Sequence, residues 1–109
     1  MASEGFHETD LTPHTRDLHR AIVSLMEELE AIDWYQQRID ATTDDSLRTI
    51  LAHNRDEEKE HASMILEWIR RQDPAFDVNL KKYLFTTAPI TERAEESEAK
   101  PAGGKRWNG

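Results

Sequence analysis

Two long amphipathic segments, each carrying a carboxylate in the middle of its apolar stripe, constrain this chain more than any other feature. The first, PHTRDLHRAIVSLMEELEAIDWYQQRIDA, opens where Thr12 precedes Pro13, a hydroxyl N-cap followed by proline at the first helical position. Leu18, Ile22, Leu25, Leu29, Ile32 and Ile39 recur at three- and four-residue steps, which is helical spacing. TTDDS, Thr42 to Ser46, interrupts this pattern with short polar residues that favour turns and caps. The pattern then resumes as a second helix from about Asp44 to Gln72, apolar at Leu47, Ile50, Leu51, Ile65, Trp68 and Ile69, until Pro74 stops it. AFDVNLKKYLF predicts a shorter third helix, from Pro74 to about Phe85.

The fold class is therefore all-α: a two-helix antiparallel hairpin plus a short C-terminal helix, spanning residues 13–90. Residues 1–12 read as a flexible polar lead-in. Residues 91–109, from TERAEESEAK to the end, have no apolar period and read as a disordered tail. Each long helix is roughly 28 residues, or about 42 Å. Two such helices cover only one stripe of each other, and a small chain buries a modest share of its surface. Trp34, Tyr35, Trp68 and Ile69 would be left wet. Homodimerisation into a four-helix bundle is the expected remedy.

Composition narrows the partners. Lys and Arg number 14 against 22 Asp and Glu, a formal charge of -8, which disfavours nucleic acid and favours cations. No run of about 18 apolar residues could span a membrane. MASEGFHETD has neither a basic flank nor an apolar stretch, so no secretory signal is expected. Cysteine is absent, leaving only carboxylate oxygen and imidazole nitrogen as strong metal ligands, a set suited to iron or manganese and less exclusively to zinc.

The carboxylates sit where such ligands would be needed. On the second helix, Leu47, Leu51, Asn54, Glu58, His61, Ile65 and Trp68 share one face, the predicted seam. Arg55, Asp56, Lys59 and Glu60 are expected on the solvated side. On the first helix, Ala21, Leu25, Glu28, Ile32, Tyr35 and Ile39 form the matching stripe. A hairpin turning near Thr43 puts Glu28 fifteen residues before the turn and Glu58 fifteen after it, at the same height. A buried carboxylate is costly unless paired or bound to a cation. Glu58 and His61 form E-x-x-H, setting oxygen and nitrogen side by side on one helix face. Di-iron bundles use two such motifs plus one Glu from each of two further helices. One chain supplies half of that set and a two-fold dimer supplies all of it. A structural Glu–His pair remains the plainer alternative.

Around this triad, Tyr35 lies seven residues after Glu28 on the same stripe, where its hydroxyl could support a ligand, and Trp34 reads as packing or interface. Glu27 and Glu30 flank Glu28 and could form an acidic approach for cations. His53 and Glu57 read as an exposed i, i+4 pair, and His7, His14 and His19 as solvated residues.

HRAIVSLMEELEAIDWYQQR, ILAHNRDEEKEHASMILEWIRR and LKKYLF together resemble the encapsulated ferritin family of bacteria and archaea, over roughly residues 14–90. The resemblance implies a ferroxidase that oxidises Fe(II) with dioxygen at a di-iron site, two irons per dimer interface, for storage in an encapsulin compartment. It also implies a ring of five dimers and a cytoplasmic location inside the encapsulin shell. Glu28, Glu58 and His61 match the family's iron ligands, Tyr35 and Trp34 its neighbouring aromatic pair, and Glu27 and Glu30 carboxylates on the route of metal ions inward. The family's shell-docking peptides often carry a Gly-Ser-Leu-like segment, whereas this tail ends GGKRWNG. The residues themselves leave open a non-redox site for zinc, manganese or another divalent ion, and a purely structural helical oligomer. EKEH is not the H-E-x-x-H of a zinc protease.

Overall fold

The computed structural model describes residues 5–93 and is built of helices α1 (Pro13–Ala41), α2 (Asp45–Gln72) and α3 (Pro74–Tyr83). The Thr12 side chain accepts the Thr15 N–H at 3.1 Å and Pro13 occupies the first turn, so α1 starts where its cap chemistry predicts. It ends at Thr42, whose N–H donates to the Arg38 carbonyl at 3.0 Å. Asp44 then caps α2: its carboxylate accepts the Leu47 N–H at 2.9 Å and the Ser46 hydroxyl at 2.7 Å. These bonds, with that to Leu47 dominant, hold the Asp44 carboxyl below its ordinary value. Arg48 closes the corner, donating Nε to the Ile39 carbonyl at 3.3 Å and Nη2 to that of Thr42. Carbonyls that α1 cannot satisfy internally are thus taken up by the next helix.

Residues 5–69 form one compact unit, with α1 and most of α2 as its hairpin. The expected stripe of α1 holds: Ala21, Leu25, Glu28, Ile32 and Tyr35 are half-buried and Ile39 is buried. The stripe of α2 is rotated from the expected one. Buried or half-buried positions run Arg48, Leu51, Arg55, Glu58, Ala62, Ile65 and Ile69, with Ala62 and Ile69 fully inside. Leu51, Glu58 and Ile65 belong to both stripes; Ala62 and Ile69 lie deeper than His61 and Trp68, and Arg55 is half-buried beside the half-buried Asn54. At about 100° per residue the two stripes differ by roughly 60°. The small Ala62 side chain in the seam's middle suits close approach of the helices, which favours this rotation. It leaves Leu47, Ile50, Met64 and Trp68 of α2, and Ile22, Met26, Leu29 and Trp34 of α1, exposed.

The lead-in, expected to be flexible over 1–12, lies along α1 where it is described. The Phe6 ring stands 4.6 Å from the His19 ring, with the Arg20 guanidinium 5.9 Å from its centroid. Residues 1–4 lie outside the described segment.

The second unit, described over residues 70–93, begins in the last turn of α2. Asp73 caps α3, its carboxylate accepting the N–H groups of Ala75 at 2.9 Å and Phe76 at 3.1 Å. Helix α3 ends two residues before the expected Phe85, with Leu84 as its C-cap. Phe85 takes a positive φ of 59°, unfavourable for a side chain of that bulk and enough to turn the chain out of the helix. Beyond Pro89, residues 90–93 are helical, so the tail expected to lack structure begins with ordered backbone; residues 94–109 lie outside the described segment.

Asp77 ties this unit together, accepting Lys81 Nζ at 3.0 Å and Arg70 Nη1. The Lys81 ammonium first, and the Arg70 guanidinium second, hold its carboxyl below the ordinary 3.8. A depressed carboxyl stabilises the folded chain above that ordinary value, and the contribution is lost as pH falls through the lower folded value. Asp77→Asn is therefore expected to melt below wild type at neutral pH, with the gap closing on acidification. Melting curves recorded at successive pH values check this; a gap independent of pH would contradict it.

Candidate metal centre

Helix α1 places Glu28 at the middle of its inner stripe, and α2 brings Glu58 and His61 to the same level. The ligand atoms of the three residues lie within 4.8 Å of one another. His61 Nδ1 is 3.8 Å from both Glu28 Oε2 and Glu58 Oε1. These separations are too long for hydrogen bonds, so His61 Nδ1 is in ion-pair range of both carboxylates without bonding to either. Among the described residues this is the one group of three or more such side chains close enough to hold an ion.

Burial bears on what this arrangement could hold. The Glu28 and Glu58 side chains are 23% and 24% exposed and that of His61 is 43% exposed. Glu28 Oε2 is buried without a hydrogen-bond partner. An orphaned carboxylate oxygen inside a helix pair is destabilising, and a bound cation removes the penalty. Bonds of ~2.0–2.2 Å from a metal to oxygen or nitrogen put neighbouring ligand atoms roughly 3–4 Å apart, comparable to the spacing here. The donor set fits a divalent ion on geometry and on chemistry. The rotation of α2 also explains the asymmetry: Glu58 lies between the two stripes and points inward, whereas His61 sits at the rim.

The other expected participants make the following contacts. Trp34 and Tyr35 share the Arg38 guanidinium, 5.9 Å and 5.7 Å from their ring centroids. No hydrogen bond joins the Tyr35 hydroxyl to Glu28 or Glu58 among the described residues. Glu27 and Glu30 are exposed and outside the cluster. His53 and Glu57 form the expected surface pair, Nε2 to Oε1 at 2.8 Å. Arg55 departs from expectation. Placed by sequence on the solvated side, its side chain is only 21% exposed, and Nη1 donates to Gln36 Oε1 across the helix pair at 2.8 Å. Its position three residues before Glu58, at the spacing of the same stripe, was the available signal.

The profile of the EncFtn-like family matches residues 5–87, which is most of the chain and all of the hairpin. The chain belongs to the EncFtn-like family. Its relatives agree with this. It is 56% identical over 112 aligned residues to an encapsulated ferritin-like protein of Rhodospirillum rubrum, covering 100% of this chain and 80% of that protein. It is 53% identical to a ferritin-like protein of Thermotoga maritima, covering 87% of this chain and 85% of the relative. An encapsulin nanocompartment cargo protein of Myxococcus xanthus is 37% identical, over 77% of this chain and 68% of its own length. Among solved structures, a protein of Nitrosomonas europaea superposes with a TM-score of 0.77 at 65% identity, covering 79% of this chain and 97% of its own. The EncFtn-like fold, all-helical here, is thus shared with that protein, and the family is linked by its relatives' names to encapsulin cargo. No described helix is long and apolar enough to cross a membrane.

Proposed function

We propose that this EncFtn-like chain is a ferroxidase, binding Fe(II) as substrate at Glu28, Glu58 and His61 and passing its electron to dioxygen. The observation that carries the reading is the buried Glu28 Oε2, which has no hydrogen-bond partner and stands 3.8 Å from the His61 nitrogen. Carboxylates favour the ferric over the ferrous ion electrostatically, and each can move between terminal and bridging attachment as the charge changes. Each ferrous ion gives up one electron, so a pair of sites delivers two to dioxygen.

The pair comes from a second copy. The triad is half of the set that di-iron bundles use, and its most exposed member, His61, lies on the face that carries Leu47, Ile50, Met64 and Trp68. A two-fold partner laid on that face would cover these apolar groups and add its own two glutamates and histidine. Trp34 and Tyr35, now stacked with Arg38, would line the assembled site, and Glu27 and Glu30 would offer carboxylates to incoming cations. Iron is the metal taken, with other divalent ions able to occupy the same donors. Dimers arranged as a ring of five enclose no cavity of their own, so oxidised iron passes to an encapsulin compartment, in whose interior the protein resides. The names of the Rhodospirillum and Myxococcus relatives support that destination.

Stopped-flow absorbance after mixing the protein with Fe(II) in air tests the chemistry, and native mass spectrometry tests stoichiometry. Ferric absorbance should grow far faster than in buffer, with two irons per dimer, and Zn(II) added first should suppress it. Stoichiometric Zn(II) binding with no ferric signal would assign a non-redox site. Absence of any bound metal would leave a structural oligomer.

A further inference from the structure

Two arginines lie on the inner stripe of α2 and neither belongs to the triad. Arg48 closes the corner onto the carbonyls of Ile39 and Thr42. Arg55, two turns further on, reaches back to Gln36 of α1 with Nη1 at 2.8 Å, and its Nε donates to Asp56 Oδ1 at 3.0 Å. Little else along this seam is directional. The buried hydrophobic side chains among the described residues are Ile39, Ala62 and Ile69; the small Ala62 lets the helices come close, and none of the three makes a directional bond. A single bond from the Arg55 guanidinium across the helix pair to Gln36, whose own Nε2 donates to Asp40 Oδ1 at 3.0 Å, does favour one rotation and register, the best-attested role of polar groups in helix seams.

We propose that Arg55, acting through Gln36, is a positioning residue that holds α2 at the rotation where His61 Nδ1 stands 3.8 Å from both the Glu28 and the Glu58 carboxylates. The inference rests on the metal-binding reading of the triad. Arg55 offers no lone pair and is not a ligand; its effect is on how His61, six residues along the same helix, meets the two carboxylates. The competing rotation is specific. The neighbouring stripe, roughly 60° away, keeps Leu51, Glu58 and Ile65 but centres on Asn54 and His61, half-buried here, in place of Arg55 and Ala62. Without the Arg55–Gln36 bond the seam has less to distinguish the two, and the carboxylates no longer meet His61 at one preferred spacing.

The test uses the full chain with Co(II), whose visible absorption bands report the ligand geometry directly. Arg55→Met and Gln36→Leu should each bind Co(II) about tenfold more weakly than wild type, the lower end of the effect of removing a residue that orients a ligand. Their bands should shift, while far-UV circular dichroism stays helical. The double variant should bind no more weakly than either single one, because both remove the same bond. Arg55→Lys, which keeps a cation within reach of Gln36, should recover most of the affinity. Wild-type affinity and spectrum in Arg55→Met overturn the proposal. So does a Gln36→Leu variant that binds like wild type while Arg55→Met weakens, since charge alone would then be at work. If Arg55→Met loses its helices, Gln36→Leu decides the matter. A wild-type protein that neither binds Co(II) nor oxidises Fe(II) refutes the metal-site reading and this inference together. One that does both, with Arg55→Met and Gln36→Leu indistinguishable from it, refutes this inference alone.

Discussion

Glu28→Ala is expected to abolish rapid Fe(II) oxidation while leaving the helices intact. Loss of one carboxylate from so small a donor set removes charge stabilisation worth several kcal/mol, and each ~1.4 kcal/mol is a factor of ten in rate. A fall of at least about 100-fold follows. The effect on the metal-free fold has the opposite sign. Glu28 Oε2 is buried without a hydrogen-bond partner, so its removal relieves a penalty rather than breaking a bond. The metal-free variant should melt at or above the temperature of the metal-free wild type, and metal should raise the melting temperature of wild type only, by linkage. Stopped-flow oxidation and thermal melts with and without metal measure both signs. Wild-type oxidation rates in Glu28→Ala would sink the proposed function. A marked loss of metal-free stability would instead favour a structural pairing of Glu28 with His61.

Ile69→Ala should be the most damaging substitution for stability. Ile69 is 2% exposed, the most completely buried large side chain among the described residues. Replacing a buried isoleucine by alanine costs about 2–5 kcal/mol from lost transfer energy and the cavity left behind. Domains of this kind are stable by only about 5–15 kcal/mol in total. The expected drop in melting temperature is roughly 10–20 °C. Protomer concentration must be held constant in the comparison, because association contributes to apparent stability. A drop of only a few degrees would place Ile69 outside the core that matters. Met64, five residues earlier and exposed, is the contrast within the same helix.

Much of the architecture was legible because it is written locally. Cap residues Thr12, Asp44 and Asp73 do their work within three residues of themselves, so the starts of all three helices follow from sequence. Glu28, Glu58 and His61 were legible for a different reason. A carboxylate on an apolar stripe is expensive, and two at equal distances from a turn must meet in an antiparallel hairpin; the structure brings all three side chains together. Arg55 escaped because a long cationic side chain is ordinarily solvated, and only the partner helix reveals that Gln36 stands within reach. Phe6 was read as flexible lead-in because its contact with His19 depends on the chain folding back along α1, which no short-range spacing encodes.

Sequence alone thus determined the helices, the cap at Thr12, the antiparallel pairing and the donor chemistry of the triad, since each follows from spacing along a single helix or across one turn. Only the tertiary structure decided how far α2 is rotated about its own axis. Two stripes satisfy the same alternation of three- and four-residue steps and share Leu51, Glu58 and Ile65, so periodicity cannot choose between them. Close packing around Ala62 and the bond from Arg55 to Gln36 favour one of them. That choice leaves His61 at the rim, 3.8 Å from the Glu58 carboxylate, while Glu58 faces inward on either stripe.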